Sequence, residues 1–169
     1  MKQKLHWKEL KKVRFLSFRF FLFILFLPLN SISKEAIVFS QTFPDLLVKV
    51  AQTVEEKQKG LMFVNKLLKT NGLLLLYKKP KIVQIWMHNT QIPLDIIFIN
   101  DQNKVVLIKK GKPFSKEIIS SITPVIGVLE IPEGCAKKLD IKPGDKTSWT
   151  IVNRTKIKNI RYYHCLDHF

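Results

Sequence analysis

The chain has 169 residues, of which 46% are hydrophobic and 25% are charged. This length leaves room for one ordinary domain, and the composition is that of a folded protein rather than a disordered one. The formal net charge of +16 fits either an anionic surface as a partner or a solvated, lysine-rich surface without a specific partner. Nucleic acid is not an expected partner, because the basic residues beyond residue 33 are twenty lysines with only Arg154 and Arg161, and base recognition relies on the guanidinium group.

The first 33 residues have the order that is typical of a secretory signal. Basic residues extend to Arg19, an apolar run covers Phe20–Leu29, and Ser31 and Ser33 follow. The run is about ten residues long, whereas a helix needs roughly 17 to cross a bilayer. We therefore predict cleavage near Ser33 and an extracytoplasmic location, periplasmic or secreted, for the remainder, which keeps a net charge of +10. An uncleaved leader that anchors the protein in the membrane is the alternative.

Residues 34–155 are predicted to form a single, mainly β domain. Apolar alternation and β-branched residues predict eight strands. The predicted strands are Ile37–Gln41, Asp45–Thr53, Leu73–Tyr77, Ile82–His88, Leu94–Asn100, Lys104–Lys109, Val125–Ile131 and Lys146–Asn153. So many short strands favour a small antiparallel domain, barrel-like or a sandwich, that hides its sheet edges. The sequence assigns no function to the tail over residues 156–169.

Two turns are predicted from local signals. Asp101-Gln102-Asn103 is a short polar connection of the kind that joins the strands of an antiparallel hairpin. In the segment Lys142-Pro143-Gly144-Asp145, proline presets its own φ and glycine can take the positive φ of a type II turn.

Two short helices are predicted as well. Thr53 and Glu56 have the spacing of a capping box, which predicts a helix that ends near Gly60. Pro132 and Glu133 suit the N-terminal end of a second helix, which is expected over Glu133–Leu139.

The chain has two cysteines, Cys135 and Cys165, and both follow the predicted leader. An even number of cysteines in an exported protein permits a disulfide. Cys165, however, lies in the tail, whose position the sequence does not fix. A Cys135–Cys165 disulfide therefore stays open, as does a buried thiol beside a free thiol in the tail.

The chemically richest segment is Trp86–Asp95, with the sequence WMHNTQIPLD. It gathers an aromatic ring, an amide, a hydroxyl and a carboxylate just before the predicted hairpin, a combination that a core does not require. On a strand, Asp95 would share a face with Ile97 and Ile99. A carboxylate there costs free energy unless it is satisfied. It therefore either binds a ligand, takes part in acid–base chemistry, or accepts hydrogen bonds that hold the turn.

Three further blocks accompany this segment: Gly60-Leu61-Met62, Val128–Gly134 and Gly144-Asp145. With them, the region from Val48 to Val152 resembles the bacterial and archaeal family known as domain of unknown function 192. The resemblance implies a small, mostly antiparallel, barrel-like β domain that is often exported and has no settled activity. The chain departs from the family pattern at His88, where a lysine is usual, and lacks the basic residue that commonly follows Gly-Leu-Met.

The candidate ligand-binding residues are Trp86, Asn89, Thr90 and Asp95, with Glu130 as a further member from another strand. Trp86 can stack on a ring while the polar groups bond its hydroxyls, which suits a carbohydrate or another small polar ligand. Packing of Trp86 in the core is the rival interpretation. No metal or cofactor is predicted, because zinc, catalytic-triad and phosphate-loop spacings are missing.

Three functional hypotheses follow. The leading one is an extracytoplasmic ligand-binding or accessory module without enzymatic activity, with a small polar ligand and an anionic envelope surface as its partners. The second is a small hydrolase or transferase that acts on envelope carbohydrate, with Asp95 and Glu130 as the candidate acid and base. The third is a purely structural domain in which the segment from Trp86 to Asp95 stabilises the fold.

Overall fold

A computed structural model of the protein describes residues 34–67, 70–152 and 162–165. The predicted leader and most of the predicted tail lie outside the described residues. Within this part of the chain, no helix has the length and hydropathy that a membrane span requires.

The domain is mainly β, as predicted. Its strands are β1 Lys34–Ser40, β2 Leu46–Ala51, β3 Leu73–Lys81, β4 Gln84–Ile85, β5 Leu94–Ile99, β6 Val105–Gly111, β7 Ile119–Ser120, β8 Val125–Pro132 and β9 Thr147–Val152. Its helices are α1 Val54–Lys59 and α2 Cys135–Lys138.

Seven strands form one sheet in the order β6-β5-β8-β3-β2-β1-β9. All neighbouring pairs are antiparallel except β2 and β3, which are parallel and are therefore joined by a crossover that contains α1. Between the outermost strands of this order, the structure shows an isolated bridge from Lys104 to Lys146. The sheet thus curves toward a barrel but does not close into one, which agrees with the barrel-like shape expected.

Both faces of the main sheet are covered by apolar side chains. One face carries Val48, Ile97 and Leu129 and packs against α2; we call it the α2 face. The other carries Leu75, Ile96 and Val128 and packs against the small sheet of β4 and β7; we call it the β4 face. Because successive residues of a strand point to opposite faces, the two faces receive alternate side chains of the same strands.

The predicted hairpin and turn are both confirmed. β5 and β6 pair as antiparallel neighbours, and the side chain of Asn100 accepts hydrogen bonds from the backbone N–H groups of Gln102 and Lys104. In the second turn Gly144 has φ of +102°, and the backbone N–H of Asp145 donates to the Lys142 carbonyl. Both turns are specified by residues close together in sequence.

The second predicted helix is shorter than expected, because α2 begins only at Cys135. Gly134 precedes it with a left-handed backbone, and Glu133 forms an ion pair with Lys110 instead of entering the helix. The capping box of α1 is confirmed: Glu56 N–H donates to the Thr53 hydroxyl, and the Glu56 carboxylate accepts from Thr53 N–H.

The strand predicted over Ile82–His88 is largely wrong. Only Gln84 and Ile85 form a strand, and they pair with β7, which was not predicted. Beyond them the chain turns: Thr90 N–H donates to the Met87 carbonyl, and Asn89 has a left-handed backbone with φ of +59°. Asparagine tolerates this conformation better than most residues, so the turn interrupts a segment whose apolar alternation had indicated a strand.

Cys135 and Cys165 form a disulfide, which decides between the two alternatives left open by the sequence. The bond attaches residues 162–165 to the start of α2. The same segment is held by Asn71, whose side-chain carbonyl oxygen accepts from Cys165 N–H at 2.8 Å and whose amide nitrogen donates to the Tyr163 carbonyl. Part of the predicted tail is therefore built into the α2 face of the domain.

Candidate functional site

A pocket of about 700 Å³ opens on the β4 face. It lies between α1, the Tyr77 end of β3, the turn after β4, and β8. The lining residues that bear on its chemistry are Lys57, Met62, Tyr77, Trp86, Thr90 and Glu130. Three residues of the predicted site therefore meet in one pocket, namely Trp86, Thr90 and Glu130.

Glu130 lines this pocket and is almost fully buried. It sits on β8 with Leu73 of β3 and Ile96 of β5 as its cross-strand neighbours, and only 4% of its surface is exposed. Within the described ranges it makes no hydrogen bond or ion pair. Burial alone raises the pKa of the Glu130 carboxyl to about 7, because the charged form loses the solvation that water provides.

Gly60 lies over the Glu130 carboxylate. A Cβ atom at this position would stand 3.9 Å from Glu130 Oε2. Gly60 follows α1 with φ of +49° and ψ of −132°, a backbone conformation open to glycine and strained for other residues. The Gly-Leu-Met block thus leaves space next to the carboxylate that a side chain would otherwise take.

Tyr77 forms the next part of the wall. Burial and the nearby charge of Glu130 raise the pKa of the Tyr77 hydroxyl to about 12, which places the two groups within electrostatic reach. The ammonium groups of Lys57 and Lys81 lie 5.1 and 5.6 Å from the centre of the Tyr77 ring. Lys57 also donates to the carbonyls of Gln52 and Leu76. It is therefore held in a defined position.

Trp86 is 48% exposed and lines the pocket. Its ring stacks on that of His88, with centroids 5.0 Å apart. Trp86 is thus a wall of the pocket and not a core residue, which argues against the rival interpretation. Met87, the next residue, is buried at 1% exposure and packs against Gly111, where a Cβ would stand 2.6 Å from Met87 Sδ.

Asn89 contributes to the site through its backbone. Its left-handed conformation closes the turn, and its carbonyl accepts from Phe63 N–H at 2.9 Å. The neighbouring Thr90 carbonyl accepts from Phe114 N–H at 3.0 Å. The turn therefore ties two further loops to the pocket wall, while the Asn89 side chain is not among the groups that line the pocket.

Asp95 lies on the α2 face, away from the pocket. Its Oδ2 accepts from the backbone N–H of Ala136 at 2.9 Å. Burial raises the pKa of the Asp95 carboxyl, and hydrogen bonding to the backbone opposes the rise. Because α2 has no side-chain cap of its own, Asp95 caps it from another strand. Of the three roles considered for this carboxylate, the geometry matches the acceptance of backbone hydrogen bonds.

The structure does not bring together Asp95 and Glu130, the two carboxylates considered as a catalytic pair. In the β5–β8 register Glu130 stands opposite Ile96, whereas Asp95 stands opposite Ile131. The two carboxylates therefore point to opposite faces of one sheet and cannot flank one scissile bond. If either acts on a ligand in the pocket, it is Glu130.

Tyr77 and Lys57 line the pocket but were not predicted from the sequence as members of the site. Two signals were available: Leu73, Leu75 and Tyr77 alternate on β3, which places them on one face, and the capping box begins α1 four residues before Lys57. Only the parallel β2–β3 crossover brings α1 next to the end of β3. Among the described residues, no cluster of three His, Cys, Asp or Glu side chains is arranged to hold a metal ion.

The fold and the pocket define a small, mainly β domain with one carboxylate buried in a cleft of the sheet. The chain belongs to the family known as domain of unknown function 192, described as "Uncharacterized ACR", whose sequence model matches residues 37–149. This confirms the resemblance, and the match includes every pocket residue named above. No protein of curated function matches the chain.

Two solved structures are similar to this one. A protein of unknown function from Novosphingobium aromaticivorans DSM 12444 is 34% identical; the match covers 72% of this chain and 89% of that one, with a TM-score of 0.64. A protein from Sinorhizobium meliloti 1021, described provisionally as a transcription regulator, is 30% identical; the match covers 69% of this chain and 93% of that one, with a TM-score of 0.63.

Proposed function

We propose that this protein is a small-molecule binding module that works outside the cytoplasm, with the pocket on the β4 face as its binding site. One observation carries the proposal: Glu130 is buried in the pocket without a hydrogen-bond partner among the described residues. An unpaired buried carboxylate destabilises a fold. A bound ligand that donates to it would offset this cost.

The walls of the pocket support the same proposal. Trp86 presents an exposed aromatic surface, Tyr77 adds a second ring, and Thr90 adds a polar side chain. An apolar cleft with a few converging polar groups is the usual form of a site for small ligands. The volume of about 700 Å³ lies within the range of such sites.

Export is the second part of the proposal. The order of basic, apolar and small residues before Lys34 supports it, and so does the Cys135–Cys165 disulfide, since disulfides persist mainly in oxidising compartments. To test this, the full chain is produced in an exporting bacterial host and the N-terminus of the purified protein is determined by mass spectrometry. A protein that begins near Lys34 and is recovered outside the cytoplasm supports export, whereas an intact leader on a cytoplasmic protein contradicts it.

The binding proposal is tested by NMR titration of the protein with pools of cell-envelope fragments, including oligosaccharides. The indole N–H signals of Trp86 and Trp149 are the reporters, because Trp86 lines the pocket and Trp149 packs against the core of the α2 face. We expect a saturable shift of the Trp86 signal with at least one pool, and no shift for Trp149. If the Trp86 signal moves with none of the pools, the binding role is contradicted.

A hydrolase or transferase is the second candidate, and one observation favours it. A carboxyl group with a pKa of about 7 is suited to give or take a proton near neutral pH. The distinction is made with the pool that shifts the Trp86 signal: mass spectrometry after prolonged incubation shows new products if the protein is an enzyme. We expect the pool to be recovered unchanged.

A further inference from the structure

The charged groups that line the pocket are of both signs. One is the buried Glu130 carboxylate, unpaired among the described residues. Three lysines line the pocket as well, Lys57, Lys59 and Lys81. Two of them are held near Tyr77, with their ammonium groups 5.1 and 5.6 Å from the centre of its ring. Tyr77 therefore has one carboxylate within electrostatic reach and two ammonium groups close to its ring.

This arrangement disfavours ligands that carry charge of only one sign. An organic cation would gain an ion pair with Glu130 but would meet the repulsion of the three lysines. An organic anion would gain the lysines but would be repelled by Glu130 whenever that carboxyl is ionised. A neutral polar molecule would leave Glu130 without an opposite charge. Only a ligand with charges of both signs pairs with the carboxylate and with the lysines at once.

We infer that the pocket binds a small organic zwitterion, whose cationic nitrogen pairs with Glu130 and whose anionic group is held by Lys57 and Lys81. This inference rests on the proposed binding function and names its ligand class. The segment between the two charges lies against the rings of Tyr77 and Trp86. Envelope fragments that carry both a free amine and a carboxylate or phosphate have this chemistry.

The contacts of Lys57 hold it in place as a partner for the anionic group of the ligand. Two of the three N–H groups of its ammonium are used by the carbonyls of Gln52 and Leu76, and one remains for a ligand. Because its position is already fixed, the side chain loses little conformational entropy when an anion binds. At the other end, a charge-assisted hydrogen bond to Glu130 is shorter and stronger than a neutral one.

The test uses the full chain, produced in an exporting host, and a matched series of probes. The zwitterions are 4-aminobutanoate, 6-aminohexanoate and 8-aminooctanoate, whose charges lie at increasing separations. Hexylamine and hexanoate are the controls, since each keeps the six-carbon chain and one charge of 6-aminohexanoate. The Trp86 indole signal reports binding. We expect at least one zwitterion to bind about ten-fold or more tightly than either control, the equivalent of one charge-assisted hydrogen bond.

Two variants identify the groups that hold each end. Glu130→Gln should lower the affinity for the best zwitterion to the level of the affinity for hexanoate. Lys81→Gln should lower the affinity for the same zwitterion several-fold but should not weaken the binding of hexylamine. Lys81 is exposed, so its variant should fold normally. Glu133→Gln is the control for Glu130→Gln, because it removes the same charge from a residue outside the pocket.

Either of two results overturns the inference. One is that no zwitterion shifts the Trp86 signal at about 10 mM, where a ligand with a Kd of about 1 mM would be near saturation. The other is that hexanoate, hexylamine or a neutral sugar binds as tightly as the zwitterions. If an envelope pool still shifts Trp86 in that case, the binding function stands and only the ligand class is wrong. If no pool shifts it, the binding function itself fails.

Discussion

Asp95 and Glu130 are two buried carboxylates on neighbouring strands. They lie on opposite faces of the sheet and differ in their hydrogen-bond partners. Each is only 4% exposed, and β5 pairs with β8 along the whole length of β5. On the α2 face, Asp95 accepts a backbone hydrogen bond from the start of α2. On the β4 face, Glu130 has no such partner among the described residues and borders the pocket.

The difference separates a structural from a functional use of the same chemical group. A buried carboxylate is tolerated when hydrogen bonds replace the water that it loses, which is the situation of Asp95. A buried carboxylate without such hydrogen bonds lowers the stability of the fold. Groups of this kind are typical of sites where a ligand or a reaction supplies the missing interaction. The α2 face therefore holds the fold together, while the β4 face provides the site.

The largest expected effect comes from removing the covalent link on the α2 face. Replacing both Cys135 and Cys165 with alanine should lower the free energy of unfolding by about 3 to 4 kcal/mol. The reason is that the disulfide spans 30 residues, and a cross-link over such a loop reduces the conformational entropy of the unfolded chain. Urea denaturation of the variant and the parent measures the loss. The Trp86 signal should stay where it is, since the pocket lies on the other face. A loss below about 1 kcal/mol would contradict the role assigned to the link.

The next largest effect is a gain in stability, and it concerns Glu130 on the β4 face. In the folded protein the Glu130 pKa of about 7 stands above its ordinary value of 4.5, so folding favours the protonated form. The contribution of Glu130 to stability should therefore fall as the pH rises from about 4.5 to 7 and stay low above that. Glu130→Gln, which keeps a neutral group there, should stabilise the protein at pH 8 by at most about 3 kcal/mol.

The pH dependence is measured as the difference between two variants, because other groups titrate in the same range. Unfolding free energies of the parent and of Glu130→Gln are compared at about pH 4, 6 and 8. The gain should be absent at the lowest pH and largest at the highest. Glu133→Gln, which removes an exposed charge, should show no such trend. If the stability gain of Glu130→Gln were equal at all three pH values, Glu130 would not take up a proton on folding.

The sequence was sufficient to predict the features that depend on neighbouring residues. The capping box at Thr53, the hairpin loop after Asn100 and the positive φ of Gly144 each involve residues within four positions of one another, so their geometry follows from local rules. The face that Asp95 shares with Ile97 and Ile99 was also predicted, since it depends only on the alternation of side chains along a strand.

The features that decide the site depend on distant residues, and these were not predictable. Asp95 is satisfied by Ala136, 41 positions away, and nothing near Asp95 in sequence indicates that partner. Glu130 was recognised as a candidate, but its isolation follows from Leu73 and Ile96, which flank it through strand pairing. The strand predicted through Trp86 to His88 failed because a left-handed residue, Asn89, outweighed the apolar alternation before it.

A smaller loss of stability should follow when the partner of α2 is removed. Asp95→Ala leaves the buried N–H of Ala136 without its acceptor, so we expect a loss of about 2 kcal/mol. Asp95→Asn keeps an oxygen that can accept from Ala136 and should cost less than about 1 kcal/mol. Thermal unfolding measures both variants. If Asp95→Ala instead abolished the Trp86 response to a ligand while stability was unchanged, the two faces would not be separate in function.

The smallest effect concerns the cap of α1, which has the same physical role as Asp95 but is local. Thr53→Ala removes the acceptor for Glu56 N–H and should cost about 1 kcal/mol. The effect should be confined to α1, with faster amide exchange at its first turn, whereas loss of Asp95 should affect β5 and α2 together. Thr53→Ser keeps the hydroxyl and is the control. Because α1 carries Lys57 into the pocket, Thr53→Ala should also weaken ligand binding modestly, and equal affinity in both variants would show that Lys57 is positioned by Gln52 and Leu76 alone.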